Sequence, residues 1–415
     1  MQMKLVGRDL WGRCGLLCMA AASAAALLAS PASAAPVTTA LKLTGPKGAV
    51  PPGGKARLTA TLTAAGKPLA GKGIAFLAGG AAAGQATTDS KGRAKVTVTL
   101  TAPTTYTASY TPAGADAAAY AAAQSPALQL APAARLTVSV GSYLHAGRRA
   151  VGIPGSRVRV RGTLAPYAAG TVVEVSVFRN GRRVQRRSAV VKQAGAVGRF
   201  AVSIKPSKRG VHRVRVRLGA TSDSARLYVI RPRAKEGSRG TAVRALQRRL
   251  KDLGYLTPVS GKFDGTTARA VLAFRKVNGF ARITSAGRPV YRRLARGGGG
   301  YKLRYPKAGK HAEFDWSRQV LVLARGAKPV IILHSSSGAS ATPTVLGKYH
   351  FYRKSPGYNA KGMYYSAYFT GGYAIHGYSP VPTFPASHGC LRIPIASAKR
   401  VYGWVDLGDP IYTYR

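Results

Sequence analysis

Ala374-Ile375-His376-Gly377 and, ten residues after Gly377, Ser387-His388-Gly389-Cys390-Leu391-Arg392 bring histidine and cysteine into one short window of a 415-residue chain. Cys390 is the only cysteine beyond an N-terminal leader, and two of the seven histidines fall in this window. A thiol is a useful nucleophile as its thiolate, so it needs a base or a cation to draw its pKa below the free value of about 8.5. In an extended segment His388 would share a face with Cys390; in a tight turn it would present its backbone instead. Gly372-Tyr373-Ala374-Ile375-His376 reads as a β run, which delivers His376 from a neighbouring strand and makes it the expected base.

Working outward, a chain of this length implies three or four domains. With 46% of its residues hydrophobic it has the apolar content for packed cores and is no disordered polymer. Residues 1–34 read as a secretory signal: Lys4, Arg8 and Arg13 give a positive start, Gly15 to Leu28 is apolar, and Ala32-Ser33-Ala34 resembles a cleavage site. A retained membrane anchor competes, because the apolar run approaches spanning length, but Pro31 and the small-residue site directly after it favour cleavage. No second run of spanning length occurs. Loss of the leader removes Cys14 and Cys18, leaving one free thiol in an oxidising compartment and no intrachain disulfide.

Lys and Arg number 64 against 12 Asp and Glu, a net charge of +52, and such a surface seeks a polyanion. For an exported chain the expected partners are wall phosphate polymers, peptidoglycan carboxylates and lipid head groups rather than nucleic acid.

Short alternating runs separated by Gly, Pro and Asp, such as Ala56-Arg57-Leu58-Thr59-Ala60-Thr61-Leu62, predict a β-sandwich over 35–133. A second sandwich over 134–232 alternates valine with arginine, as in Val158-Arg159-Val160-Arg161 and Val211 through Leu218. Residues 134 to 235 hold 23 basic and 2 acidic residues, net +21, against 9 and 2, net +7, in the first sandwich. This is either a solvated basic face or a dock for an anionic wall polymer. Residues 233–296 turn helical: Val243, Leu246, Leu250 and Leu253 follow helical spacing, and a second helix is expected from about Thr266 to Val277. Gly297 to Gly300 reads as a flexible linker, and 301–415 as a small β-rich domain with a helix over Ser397 to Val405.

The string from His376 through Ser387-His388-Gly389-Cys390 and Arg392 resembles the signature of the L,D-transpeptidases with their YkuD-like catalytic domain, over most of Tyr301 to Arg415. Leu333-His334-Ser335-Ser336-Ser337-Gly338, Thr342-Pro343 and Gly347-Lys348-Tyr349 are similar to the family's small-residue and Thr-Pro-Gly segment. Gly240, Leu246-Gln247, Leu250, Leu253-Gly254-Tyr255, Phe263-Asp264, Thr267 and Ala270-Val271-Phe274 look like the helical peptidoglycan-binding repeat. Asp89-Ser90-Lys91-Gly92-Arg93 is similar to a hairpin of bacterial immunoglobulin-like repeats. The fold class expected is thus multidomain and mainly β: two immunoglobulin-like sandwiches, a helical peptidoglycan-binding domain and a β-rich catalytic domain.

The resemblance implies acyl transfer on peptidoglycan stem peptides: Cys390 as nucleophile, His376 as base held by the Gly377 carbonyl, and backbone N–H groups of His388, Gly389 and Cys390 as oxyanion hole. Ser387 and Arg392 would support the loop or a substrate carboxylate. No metal or cofactor is implied. A zinc site from His376, His388 and Cys390 lacks a Cys-x-x-Cys or His-x-x-x-His partner, and the paired carboxylates of a glycosidase are missing. His311, His334 and His350 read as packing or surface residues. Two other functions compete: an L,D-carboxypeptidase at the same site, and a wall-binding structural protein with a vestigial one.

Overall fold

The computed structural model describes residues 35–415, so the expected leader lies outside the described residues. Two compact units divide the chain, one reaching Gln129 and the other comprising Leu130–Arg415 with the short excursions Pro46–Ala56 and Thr99–Pro103.

In the first unit, alternation along the strand Gly54–Ala64 buries Leu58, Ala60 and Leu62 while Arg57 faces solvent. That strand pairs with Thr39–Thr44, Lys67–Pro68 and Arg93–Leu100, and a second sheet runs Ala81–Thr87, Gly73–Ala78, Thr104–Tyr110, Ala123–Gln124. Leu41, Ile74, Phe76, Tyr106 and Tyr110 of this unit are each nearly or wholly buried.

The second unit begins with another pair of sandwich-like sheets. One runs Arg135–Gly141, Val158–Ala165, Val197–Ile204, Lys192–Ala194; the other runs Leu144–Ala146, Arg149–Gly152, Thr221–Val229, Gly210–Leu218, Val172–Arg179, Arg182–Val190. The valine-arginine alternation decides which side is inside: Val158, Val160, Val173, Val175, Val177, Val214 and Val216 form the core, each contributing about 1.5–3 kcal/mol on burial.

Three helices follow, Thr241–Asp252, Gly265–Val277 and Arg288–Ala295. Asp264 caps the second, accepting from the Thr267 N–H at 2.7 Å. The third, with Pro289 in its first turn, was not expected from the sequence. The last region holds a five-stranded sheet ordered Lys328–His334, Val320–Arg325, Lys310–Asp315, Pro410–Tyr414, Gly347–His350, and a four-stranded sheet ordered Arg353–Tyr358, Tyr364–Thr370, Tyr373–Tyr378, Leu391–Pro394. The helix Ile395–Trp404 contributes Ala398 and Val401 to their common core.

Within the second unit the parts are not beads on a string. One apolar cluster contains Leu144, Val151 and Ile153 of the sandwich, Leu246, Leu250, Val271 and Phe274 of the helices, and Val320, Val322 and Ile332 of the five-stranded sheet. Tyr255 lies in it, edge-on to Phe274 with ring centroids 5.5 Å apart. Its flanking backbone extends the five-stranded sheet: the Ile332 N–H donates to Gly254 O at 2.8 Å and the Leu256 N–H to Ile332 O at 3.3 Å. The glycine run expected to be a flexible linker is held as well, because the Tyr255 hydroxyl donates to Gly299 O at 2.7 Å and the Arg249 guanidinium to Gly297 O at 2.8 Å. Glycines carry no side chain to signal such contacts in sequence; their carbonyls make them. Among the described residues no helix is long and apolar enough to cross a membrane.

Tyr255→Ala should therefore destabilise the protein by about 3–5 kcal/mol, as for other large buried rings. Helical circular dichroism and Trp404 fluorescence should shift together in denaturant. Two transitions, with only the helical one displaced, would show that the core is not shared.

Candidate active site

The site is set by a parallel strand pair. Tyr373–Tyr378 runs beside Leu391–Pro394 with Ile375 opposite Leu391, His376 opposite Arg392 and Gly377 opposite Ile393. Opposed residues share a face and alternate along the strand. Ile375, Leu391 and Ile393 enter the core. His376 and Arg392 take the other face, and one alternation earlier so do Ala374 and Cys390, which pack with Met363 and Tyr368. Histidine and cysteine are thus diagonal neighbours on one side of the sheet.

The loop before Cys390 is bound to the segment Ser335–Gly338. Ser336 and Arg392 exchange backbone hydrogen bonds at 3.0 and 2.8 Å, and the Ser387 N–H donates to Ser337 O at 2.9 Å. The Ser335 hydroxyl donates to Arg392 O at 2.8 Å. Thr344 Oγ1 accepts from the Gly338 N–H at 2.9 Å and donates to Gly389 O at 2.6 Å. Ser387 Oγ donates to Cys390 O at 2.6 Å and accepts from the Gly389 N–H at 3.1 Å. Side chains are excluded at two points. Gly389 has φ +111° and a Cβ there would lie 2.1 Å from the Tyr373 ring, while one on Gly338 would lie 2.1 Å from Thr342 O.

His376 is buried, and its Nδ1 lies 3.0 Å from the Gly377 carbonyl. A carbonyl only accepts, so Nδ1 carries the proton and Nε2 is left with its lone pair. Burial drives the His376 pKa down to about 4; the Gly377 carbonyl opposes the shift and Arg392 adds to it. Cys390 Sγ donates to Gly372 O at 3.6 Å. Burial pushes this thiol up, against the Ala374 N–H, Arg392 and Lys361. The thiol pKa expected to be drawn below its free value is therefore raised, because desolvation of the thiolate outweighs its two cations. At neutral pH thiol and imidazole are both uncharged.

The other expected residues lie at the same place in different attitudes. The His388 side chain is exposed in the loop. Of the three N–H groups expected to form an oxyanion hole, that of Gly389 is turned to Ser387. Arg392 lies with its guanidinium 4.2 Å from the Tyr378 ring centroid, and that ring stands edge-on to His376 at 5.7 Å. Among the described residues no three His, Cys, Asp or Glu converge as a metal site would require.

Sequence reasoning missed Lys276. This helical lysine is 4% exposed and donates to Gln319 O at 3.1 Å, Ser335 O at 3.1 Å and His334 Nδ1 at 2.7 Å. His334 Nε2 lies 3.0 Å from Val381 O, which makes Nε2 the protonated nitrogen and Nδ1 the acceptor. Burial pushes the Lys276 pKa down to about 6, yet three converging acceptors need the three N–H bonds of an ammonium, and that is the form the geometry holds. Its helical spacing marks it only as one more residue of an amphipathic helix, so nothing in the sequence singles it out.

Residues 309–413 match the family model YkuD, described as the L,D-transpeptidase catalytic domain, and residues 239–284 match that of a peptidoglycan binding domain. Among solved structures the chain is similar to the L,D-transpeptidase of Xylanimonas cellulosilytica, with 32% identity over 45% of this chain and 98% of that one and a TM-score of 0.42. It is also similar to the L,D-transpeptidase of Stackebrandtia nassauensis, with 22% identity over 45% and 96% and a TM-score of 0.29. A third, from Mycobacterium smegmatis, has 12% identity over 67% and 100% and a TM-score of 0.23. Comparison with curated proteins finds no match.

Removing the imidazole should leave a half-buried thiol with no base. His376→Ala is expected to slow alkylation of Cys390 by iodoacetamide at pH 7 by about tenfold or more, read by mass spectrometry of the Cys390 peptide. An unchanged rate in a folded variant would disconnect the two residues.

Proposed function

The chain belongs to the L,D-transpeptidase family through its YkuD catalytic domain, and from that premise we propose that it forms 3→3 cross-links in peptidoglycan through a Cys390 thioester. The observation that carries this reading is the strand register that puts Cys390 and His376 on one face, with Nε2 left as the free base by the Gly377 carbonyl.

Cys390 Sγ turns from Gly372 O toward His376 Nε2 and gives it the thiol proton as sulfur attacks the carbonyl carbon of the third residue of a tetrapeptide stem. The N–H groups of His388 and Cys390 receive the oxyanion. The imidazolium returns its proton to the departing amine of the terminal D-amino acid, which leaves Cys390 as thioester. An amine of a second stem then attacks the thioester carbonyl, losing a proton to His376 that passes on to the released sulfur. A neutral resting pair suits this sequence, since the proton moves as the C–S bond forms. Ser387 holds the loop, and Arg392 acts through Tyr378 to position His376. The region matching a peptidoglycan binding domain would hold the enzyme on its polymer. Export to the wall, with anionic wall polymers meeting the basic second sandwich, completes the proposal.

Mass spectrometry with a defined tetrapeptide, with and without an acceptor amine, tests it. The protein should gain the tripeptidyl acyl group with loss of the terminal residue, and Cys390→Ala should gain nothing. Product that is hydrolysed tripeptide alone, even with acceptor present, would make the enzyme an L,D-carboxypeptidase, and failure to acylate at all would leave it a wall-binding protein. The pH profile adds a second check. The folded His376 pKa is lowered from 6.5 to about 4, so the base form persists as pH falls through 6.5, and the acylation rate should decline only near about 4. An acid limb at 6.5 would exclude His376, as placed here, from the base role.

A further inference from the structure

The larger sheet of the second sandwich has two unlike faces. Valines of its central strands point inward, and arginine takes the outward positions of Gly210–Leu218 at Arg213, Arg215 and Arg217, all exposed. Register sets Arg226 beside Arg213 on one neighbouring strand. On the other side Phe178 stands beside Arg213 and Ser176 beside Arg215, and beyond them lie Arg183 and Arg186. Successive outward residues on a strand lie about 6.8 Å apart and neighbouring strands about 4.8 Å. The one carboxylate among these positions, Glu174, is taken up by Arg186 at 2.5 Å and the Ser176 hydroxyl at 2.7 Å. Asp223 turns to the inner side, where it accepts from the Val138 N–H at 2.7 Å. A cavity of about 600 Å³ opens between Phe178, Val211, Arg213, Arg215 and Arg226. The far end of the same face is covered: Leu144 and Val151 belong to the apolar cluster shared with the helices.

We propose that this arginine face is a docking surface for a linear phosphodiester polymer of the cell wall, lying along the Gly210–Leu218 strand beside the helical region. The choice of a wall polymer rests on the function proposed above; the face, the residues and the repeating-charge chemistry go beyond it. A guanidinium fork matches a phosphate bidentately, and a ladder of them with one regular step suits a ligand whose charge repeats. An isolated peptide carboxylate would use a single rung. Single-stranded nucleic acid also repeats its charge, but its binding sites offer aromatic platforms for the bases. Here Phe178 lies under Arg215 with 5.7 Å to the ring centroid, and Tyr228 lies under Arg149 at 5.1 Å.

The test uses the full chain and walls prepared two ways, with the phosphodiester polymer retained or removed by hydrolysis. The variant Arg213→Gln/Arg215→Gln/Arg217→Gln removes three charges from exposed positions. Arg159→Gln/Arg161→Gln/Arg199→Gln removes the same charge from the outer side of the other sheet, where those residues are likewise exposed. The ladder variant should bind polymer-bearing walls about tenfold or more weakly, with the slope of log affinity against log salt reduced by about 2. The control variant should change by less than about threefold. Both variants should bind stripped walls and acylate on the soluble tetrapeptide as the unaltered protein does. Equal loss in the control, or equal loss on stripped walls, overturns the assignment. So does tighter binding of a single-stranded oligonucleotide than of the isolated wall polymer. Unaltered protein that acylates normally but binds both wall preparations alike removes the polymer and leaves the enzymatic reading standing; loss of acylation with intact ladder-dependent binding does the reverse.

Discussion

Two short strands paired in parallel hold the candidate site of this protein together. Burial of Ile375 and Leu391 side by side determines that His376 and Cys390 emerge together on the opposite face, and a slip of one residue would send one of them into the core. Such a short pairing is weak by itself. It is held by Ser335–Gly338, whose backbone and hydroxyls bind both the loop before Cys390 and the residue two positions after it. The run of small residues is needed because the two backbones approach too closely for anything larger, as the Gly338 and Gly389 contacts show.

Electrostatics around the pair follow from where the few acids went. Glu313 accepts from the Arg304 and Tyr305 N–H groups, Asp315 pairs with Arg318, and Asp406 and Asp409 both hold Lys310. All four acids of residues 301–415 serve structure. Among the described residues the carboxylate of a Ser-His-Asp arrangement therefore has no counterpart beside His376, and a backbone carbonyl orients the ring instead. A carbonyl fixes the tautomer without stabilising the imidazolium as an ion would, which is consistent with a depressed histidine pKa and a neutral resting pair. Arg392 and Lys361 are the charges felt at the thiol, and a positive field suits a substrate bearing carboxylates.

The helical region joins this site to the rest of the second unit. Lys276 reaches from a helix to Ser335 and His334, so the segment that supports the cysteine loop is itself held by a residue outside the catalytic sheets. Deleting that side chain would leave the Ser335 carbonyl and the His334 imidazole without their donor, at about 1–3 kcal/mol each, while Gln319 O keeps the Ser335 N–H. The region matching a peptidoglycan binding domain is thereby mechanically continuous with the catalytic loop.

Local pattern made much of this legible: valine alternating with arginine told which faces of the second sandwich are inside, the spacing of Val243, Leu246 and Leu250 told of a helix, and the His-Gly and Ser-His-Gly-Cys strings located the site. These signals survive in sequence because period and spacing act between near neighbours. Other features join residues far apart in the chain and exist only once it is folded. Lys276 meets His334 across 58 positions and the glycine run is captured by Tyr255. The thiol's upward shift also belongs here, since desolvation depends on what packs over Cys390 and not on the residues beside it. Sequence by itself determined which groups could react and on which strands they would lie; tertiary structure alone decided their protonation, their support and the union of three regions in one core, because burial is a property of the folded volume and leaves no periodic trace along the chain.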